Sequence, residues 1–381
     1  MHKVKRIVKM VFFIVGGIIA LLIIVGILFV NLSPQFGGKV SAEQKEEYAR
    51  SSNYKEGKFT NLLDVEMKMG FGDYITGIVK YFSSQPNTIP EKDIPTQRID
   101  SLTIVNYDFE KPRLIWFGHS TFLLQINKKN ILIDPMLGNV PAPHPKLGSP
   151  RFSKTLPIEI EQLPQIDLVI LSHDHYDHLD YGSILKLKDK VKAFYTPLGV
   201  GSHLTEWGIS RNDITELDWW EEVDYEGLRL VCAPAQHFSG RGVADRNATL
   251  WSSWIIRSEK DNIYFSGDSG YGEHFKAIGE KYGPFDFAML ECGQYNEQWS
   301  EIHMMPEETA RAGVDLKANL IMPIHWGAFK LAFHTWTDPV ERVTRKAKEL
   351  GIPTLVPEIG AEIVLDSAVN DVIHPWWEEL E

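Results

Sequence analysis

The chain has 381 residues, of which 44% are hydrophobic and 24% charged, a composition that supports a packed core and excludes a disordered chain. Its formal charge of −12, with no Lys/Arg-rich run beyond the first residues, excludes nucleic acid as the expected partner, because nucleic-acid enzymes draw affinity from neutralising phosphates. The size fits one large catalytic domain with an N-terminal appendage.

The appendage opens with Lys3, Lys5, Arg6 and Lys9, followed by an uninterrupted apolar run over residues 10–30. About 20 such residues span a bilayer, so residues 1–32 are expected to form a basic cytoplasmic end and a transmembrane anchor. The basic residues stay inside, which puts the rest of the chain on the outer side of the membrane. The alternative is a signal peptide cut near Val40-Ser41-Ala42, whose apolar region would be only about 7–15 residues long. Residues 41–58 are polar and lack apolar periodicity, which reads as a tether or a loose helix. Val65, Met69, Tyr74, Ile75, Ile78 and Phe82 then recur at helical spacing, and their shared face either packs on the main domain or lies on a membrane. Pro86, Pro90, Pro95 and Pro112 mark an extended connection. Residues 33–112 therefore form a tether and extension that packs on the main domain, and the catalytic domain occupies 113–381.

Within that domain strands are expected at 113–117, 121–126, 130–133, 167–171, 193–196, 228–233, 249–257, 262–266, 286–292 and 320–324. Helical patterns fall near 182–190, 199–207, 273–281, 306–316 and 339–350. Strands first, then mixed strand and helix in two halves, point to two packed sheets with helices outside. There is no repeat at a fixed period and no low-complexity tract. Cys232 and Cys292 each sit in an apolar strand, as buried thiols or as a disulfide if the domain is exported.

The chemistry concentrates after the continuous apolar strand 167–171, in Ser172-His173-Asp174-His175-Tyr176-Asp177-His178-Leu179-Asp180. Two histidines one residue apart at a strand end point to one side, and Asp177 and His178 on the following turn can face a second ion nearby. Imidazole and carboxylate suit zinc. Further ligands must come from other strand ends, and His237, Asp268 and His325 each follow an apolar strand directly. His119 reads as a brace for the first hairpin and His144 as a loop residue. His203, His274 and His334 fall on helices or loops away from strand ends, and His2 and His374 near the termini. The pairs Trp219-Trp220 and Trp376-Trp377 either fill packing gaps or touch lipid headgroups.

With its HDHYDHLD segment and the downstream His237, Asp268 and His325, the region 113–363 resembles the metallo-β-lactamase superfamily, whose fold is an α/β sandwich of two mixed sheets with helices outside, αββα. The stretches IWFGHST, ILIDPML, ELDWWEE, LWSSW, FSGDSGY and PIHWGAFKLAFH narrow the likeness to the N-acylphosphatidylethanolamine-hydrolysing phospholipase D family. That resemblance implies two Zn2+ per chain, one on His173, His175 and His237 and the other on Asp177, His178 and His325, with Asp268 bridging them. It also implies attack of a bridging hydroxide on the phosphodiester of a membrane phospholipid, releasing phosphatidic acid and an N-acylethanolamine. Tyr176 and His303 match substrate-contacting positions, His303 with a possible catalytic role, and the family likeness suggests a homodimer. The sequence departs from the family over Leu290-Glu291-Cys292-Gly293-Gln294-Tyr295, in the proline-rich loop 140–150 and in the anchor. Because all three lie where substrate is selected, a lactonase acting on a soluble sugar phosphate is an alternative. A non-catalytic membrane-anchored metal-binding protein is another, opposed by the complete ligand set.

Overall fold

The catalytic strands are short and almost wholly apolar, and successive side chains along them enter two different cores, as expected of strands covered on both faces. The computed structural model describes residues 2–65, 70–83, 85–366 and 374–380. It opens with helix α1 (His2–Leu32), α2 (Ala42–Tyr48), a hairpin of β1 (Tyr54–Lys55) and β2 (Lys58–Phe59), α3 (Phe71–Phe82) and α4 (Ser101–Val105). The first half of the sandwich follows as β3 (Arg113–Trp116), β4 (Phe122–Ile126), β5 (Lys129–Ile133), β6 (Ile166–Ile170), α5 (Tyr181–Leu187), β7 (Val191–Pro197), α6 (Gly201–Glu206) and β8 (Ile214–Leu217). The second half runs β9 (Glu222–Tyr225), β10 (Leu228–Ala233), β11 (Ser253–Arg257), β12 (Asn262–Phe265), α7 (His274–Lys281), β13 (Phe287–Glu291), α8 (Pro306–Asp315), β14 (Ile321–Ile324) and α9 (Asp338–Leu350). The last strand, β15 (Glu362–Val364), returns to the first sheet beside β3.

Among the described residues the strands form a seven-stranded sheet in the order β15-β3-β4-β5-β6-β7-β8 and a six-stranded sheet in the order β14-β13-β12-β11-β10-β9. Each sheet begins antiparallel and turns parallel, from β5 onward in the first and from β12 onward in the second. Parallel neighbours need crossovers, and helices supply most of them, so helices cover the outer faces. Leu114, Trp116, Leu124, Ile133, Leu168 and Ile170 fill the core between the sheets. Their neighbours Ile115, Leu123, Leu132 and Val169 pack with Ile184 and Leu187 of α5 and Leu204 of α6. This is the expected pair of mixed sheets with helices outside.

The edge strands β8, β9 and β15 were not expected, because their polar and apolar residues mix as edge positions allow. The strand expected at 249–257 covers only Ser253–Arg257, since residues 249–252 are drawn into loop contacts. Residues 41–58 are also less loose than their composition suggests. Ser41 and Gln44 form a reciprocal capping box that starts α2 (Gln44 N–H to Ser41 Oγ 3.1 Å, Ser41 N–H to Gln44 Oε1 2.9 Å). Tyr48 at its end and Phe59 of β2 are buried against each other and the main core. Of the helical face expected over 65–82, Met69 and the side chains of Tyr74, Ile75, Ile78 and Phe82 lie outside the described residues; the backbone there is helical over Phe71–Phe82.

Both cysteines are free and buried, and burial pushes each thiol up in pKa. Cys292 turns into the core, its thiol directed at the Ile324 carbonyl, and so adds nothing to the pocket. The tryptophan pairs pack inward too. Trp376 and Trp377 are buried and surround Trp326, the residue after His325, with ring centroids at 5.6 and 5.9 Å. Trp219 is buried and donates to the Trp251 carbonyl at 2.6 Å, and Trp220 stacks on Tyr282. Replacing a buried tryptophan by alanine costs about 3–5 kcal/mol. Trp377→Ala is therefore expected to lower Tm of the full chain strongly in a thermal melt while leaving its binding to lipid vesicles unchanged; an unchanged melt with weakened vesicle binding would assign Trp377 to the lipid instead.

Candidate metal centre

Strand ends converge along one edge of the sandwich, and each carries a polar residue that a strand interior would not tolerate. β3 leads to His119, β5 to Asp134, β6 to Ser172 and the His173–His178 segment, β10 to His237, β12 to Asp268, β13 ends on Glu291, and β14 leads to His325. The two sheets are stitched together there. The His119 N–H donates to the Trp326 carbonyl (3.0 Å) and the His325 N–H to the His119 carbonyl (3.1 Å), with both histidines in the left-handed region at φ 55° and 68°.

The structure brings all seven expected ligands into one buried cluster. In a first group, His175 Nδ1 lies 2.9 Å from His173 Nε2 and 3.2 Å from His237 Nε2. In a second group, Asp177 Oδ2 is 3.1 Å from His325 Nε2 and 3.4 Å from His178 Nε2. Asp268 stands between them: Oδ1 is 3.2 Å from His178 Nε2, and Oδ2 is 3.1 Å from His325 Nε2 and 3.8 Å from both His173 Nε2 and His237 Nε2.

Hydrogen bonds on the outer side of the rings fix which nitrogens face inward. The Ser172 hydroxyl donates to Asp134 Oδ2 (2.5 Å), so it accepts from His173 Nδ1 (2.9 Å) and leaves His173 Nε2 unprotonated. His178 Nδ1 donates to the same Asp134 oxygen (2.7 Å), and His237 Nδ1 donates to the Ile302 carbonyl (3.0 Å). Two inward atoms, His178 Nε2 and Asp268 Oδ1, are buried with no hydrogen-bond partner. Ligands about 2.0–2.1 Å from a tetrahedral ion sit roughly 3.3 Å apart, which is the spacing of these donors. The imidazole and carboxylate set, its unpartnered buried atoms and its fixed tautomers thus fit metal ions. Burial alone would raise the Asp268 and Asp177 carboxyls, but His178 and its neighbours hold both well below the usual carboxylate range. Both are therefore charged and available to cations.

His303 lies at the side of this cluster. Its Nδ1 donates to Glu291 Oε1 (2.8 Å), its ring stacks parallel on His325 (5.2 Å, 9°), and a ring nitrogen lies within 4.8 Å of donor atoms of His237 and Asp268. Tyr176 is half-buried beside the metal loop. Its hydroxyl donates to the Arg241 carbonyl (2.7 Å) and the Arg241 guanidinium covers its ring at 4.1 Å, so its proton is committed and only oxygen lone pairs remain for another group. Asp174 faces away from the cluster, accepting from Gly240 N–H (2.8 Å) and Thr249 Oγ1 (2.7 Å), with His203 Nε2 at 3.2 Å.

Three residues that matter here were given no part in the metal site from sequence. Asp134 orients His178 and Ser172; it follows an apolar strand directly, the same signal that marked His237, Asp268 and His325. Glu291, fully buried, accepts from His303 and from the Met304 N–H (3.0 Å), and lies 3.6 Å from His325 Nδ1. His119, read as a hairpin brace, sends Nε2 to within 2.9 Å of Asp177 Oδ2 and stacks its ring 4.2 Å from that of His325. Burial lowers its imidazole to about 3, so it is neutral and can hold Asp177 only as a hydrogen-bond donor or join it as a ligand.

Residues 129–326 match the family model described as a beta-lactamase superfamily domain. An uncharacterized protein of Mycobacterium tuberculosis is 37% identical over 350 residues, covering 91% of this chain and 92% of its own. The N-acyl-phosphatidylethanolamine-hydrolyzing phospholipase D 1 of Caenorhabditis elegans is 34% identical over 229 residues, 57% of this chain and 64% of its own. Among solved structures, Igni18, a metallo hydrolase from Ignicoccus hospitalis, shares the fold at 24% identity with a TM-score of 0.50, covering 66% of this chain and 97% of its own.

Outer hydrogen-bond partners of metal ligands typically contribute 10–100-fold to metal affinity. Of the two metal equivalents that the family resemblance implies, metal analysis after dialysis is expected to show one lost in His325→Ala. Both implied equivalents should remain at saturating metal in His119→Ala and Asp134→Asn, with affinity about 10–100-fold weaker for one of them in the first and for both in the second. Full native affinity in both of the latter would remove the supporting roles of His119 and Asp134.

Proposed function

The chain belongs to the metallo-β-lactamase superfamily and is a metal-dependent hydrolase, and from that premise we propose that it is a two-zinc phosphodiester hydrolase of the phospholipase D type. Its substrates are membrane lipids like N-acylphosphatidylethanolamine, cleaved to phosphatidic acid and N-acylethanolamine. His173, His175 and His237 would hold one zinc and Asp177, His178 and His325 the other, with Asp268 available to both. When bound, the ions supply an acidified water at neutral pH and positive charge for the phosphoryl oxygens.

The observation that carries this reading is the Glu291–His303 pair set against Asp268 and His237. Glu291 accepts a hydrogen bond from Nδ1 and so fixes the ring's orientation, leaving Nε2 as the nitrogen that faces substrate. Nε2 takes the proton that water loses as its oxygen bonds to phosphorus, and passes it to the N-acylethanolamine oxygen as the bond between that oxygen and phosphorus breaks. Without that proton the leaving group would depart as an alkoxide. Stacking on His325 keeps the donor within one ring's width of a metal ligand. The lipid itself is supported by the likeness to the Caenorhabditis elegans phospholipase and by α1, whose residues Lys3–Leu32 are long and apolar enough to cross a membrane. Anchored there, the chain carries its N-terminus in the cytoplasm and its catalytic domain outside.

General acid catalysis is worth typically 10²–10⁴-fold. With vesicles containing N-acylphosphatidylethanolamine and mass-spectrometric detection of both products, His303→Ala is expected to lower kcat by about that factor with metal content unchanged. Glu291→Gln should fall between it and the native enzyme. Native kinetics in His303→Ala would remove the acid role, and absence of both products from the native enzyme would remove the phospholipase reading.

A further inference from the structure

We propose that the mouth of the metal site is a membrane-seating surface, formed where the anchor helix is pinned to the catalytic domain and two rim loops carry exposed apolar tips beside it. This deepens the lipid reading above and rests on α1 being an anchor. The chain leaves α1 without a free linker. The Trp207 indole donates to the Pro34 carbonyl (2.7 Å), and the Arg241 guanidinium donates to the Gln35 carbonyl through Nε (2.9 Å) and Nη2 (2.7 Å). The remaining nitrogen of Arg241 reaches the Asp174 and Leu179 carbonyls (2.6 and 2.8 Å), which flank the ligand segment His175–His178. One buried cation therefore ties the anchor's exit to the metal loop. Phe36 meets the edge of the Tyr176 ring at 6.4 Å. At Gly37, φ is 75° and a Cβ would come within 2.1 Å of His203 Nδ1, so the chain passes too close to α6 for any side chain.

The last turn of α1 marks the depth at which the chain leaves the hydrocarbon, so whatever touches it lies at headgroup level. Phe29 of that turn meets the His144 ring at 6.3 Å, in the proline-rich loop whose tip, Leu147, is 55% exposed. Val30, Asn31 and Ser33 share a cavity of about 430 Å³ with residues 242–245, where Val243 is 90% exposed. On a third side, Asn61 brackets the backbone of His237, accepting from its N–H (3.0 Å) and donating to its carbonyl (2.8 Å). The next residues, Leu62 and Leu63, are 53% and 61% exposed. Single exposed apolar residues need no explanation, but Leu147 and Val243 sit on loops that meet the foot of one apolar helix, and Leu62 and Leu63 follow the residue that holds the metal-site His237. A bilayer fits it, because the same bilayer already covers α1. The enzyme then works in cis, on lipids of the leaflet from which its own anchor emerges, and the phosphodiester reaches the metals without leaving headgroup depth.

Cys232 and Cys292 are buried, so cysteines introduced as Leu147→Cys, Val243→Cys and, at the opposite edge between β11 and β12, Lys260→Cys accept a nitrobenzoxadiazole label selectively. The full chain is reconstituted into phosphatidylcholine vesicles carrying a nitroxide lipid labelled near the headgroup. Probes at 147 and 243 are expected to be quenched at least twofold, and the probe at 260 not at all. An unquenched probe at either 147 or 243 overturns the seating. Because quenching reads depth without turnover, the two claims separate: quenching without lipid hydrolysis removes the phospholipase reading alone, and hydrolysis without quenching removes the seating alone.

Discussion

Imidazole nitrogens of His173, His175, His178, His237 and His325 and the carboxylates of Asp177 and Asp268 face one another at 2.9–3.8 Å in a largely buried cluster. Such crowding of imidazoles and carboxylates is costly, and it leaves His178 Nε2 and Asp268 Oδ1 buried without hydrogen-bond partners, which cations at its centre would satisfy. Metal binding supplies the missing charge, and its free energy then becomes folding free energy for the edge of the sandwich where these groups meet. The rest of the fold can be understood as what delivers and holds this crowd.

Delivery is a matter of topology. Parallel strands on each sheet end on the same edge, so one residue beyond each strand reaches a common point. Holding is a matter of hydrogen bonds one layer out. Asp134 accepts from the Ser172 N–H, the Ser172 hydroxyl and His178 Nδ1, and through Ser172 also fixes His173. One carboxylate thus sets the tautomers of two ligands from different groups. On the other flank Glu291 holds His303 and lies 3.6 Å from His325 Nδ1. The backbone exchange among His119, His325 and Trp326 locks the two sheets in register at the site, and the packed tryptophans behind Trp326 keep that register.

What could be read in the sequence depended on how local the signal was. The apolar strands from 113 to 324 and the helices between them announced themselves by unbroken hydrophobic runs and by helical period, and the cluster His173–His178 by density of ligand types. His237, Asp268 and His325 were legible because a polar residue after a strand is a local pattern. His119 was not, since its place depends on β3 and β14 of different sheets lying side by side. Glu291 closes its own strand, where a carboxylate makes sense only once His303 is known to lie beside it. Residues 41–58 looked like a tether because two buried aromatics, Tyr48 and Phe59, are too sparse to produce a period. The contact of Tyr176 with Arg241, whose guanidinium ties the metal loop to the segment after α1, was not legible because the two residues are 65 positions apart.

The central claim is that Asp268 lies between two metal ions. Anomalous diffraction at the zinc edge from crystals of the zinc-loaded protein tests it most directly. Two peaks are expected, one enclosed by His173, His175 and His237 and one by Asp177, His178 and His325, with an Asp268 oxygen bound to each. A single peak, or two peaks with Asp268 bound to neither, would contradict the account.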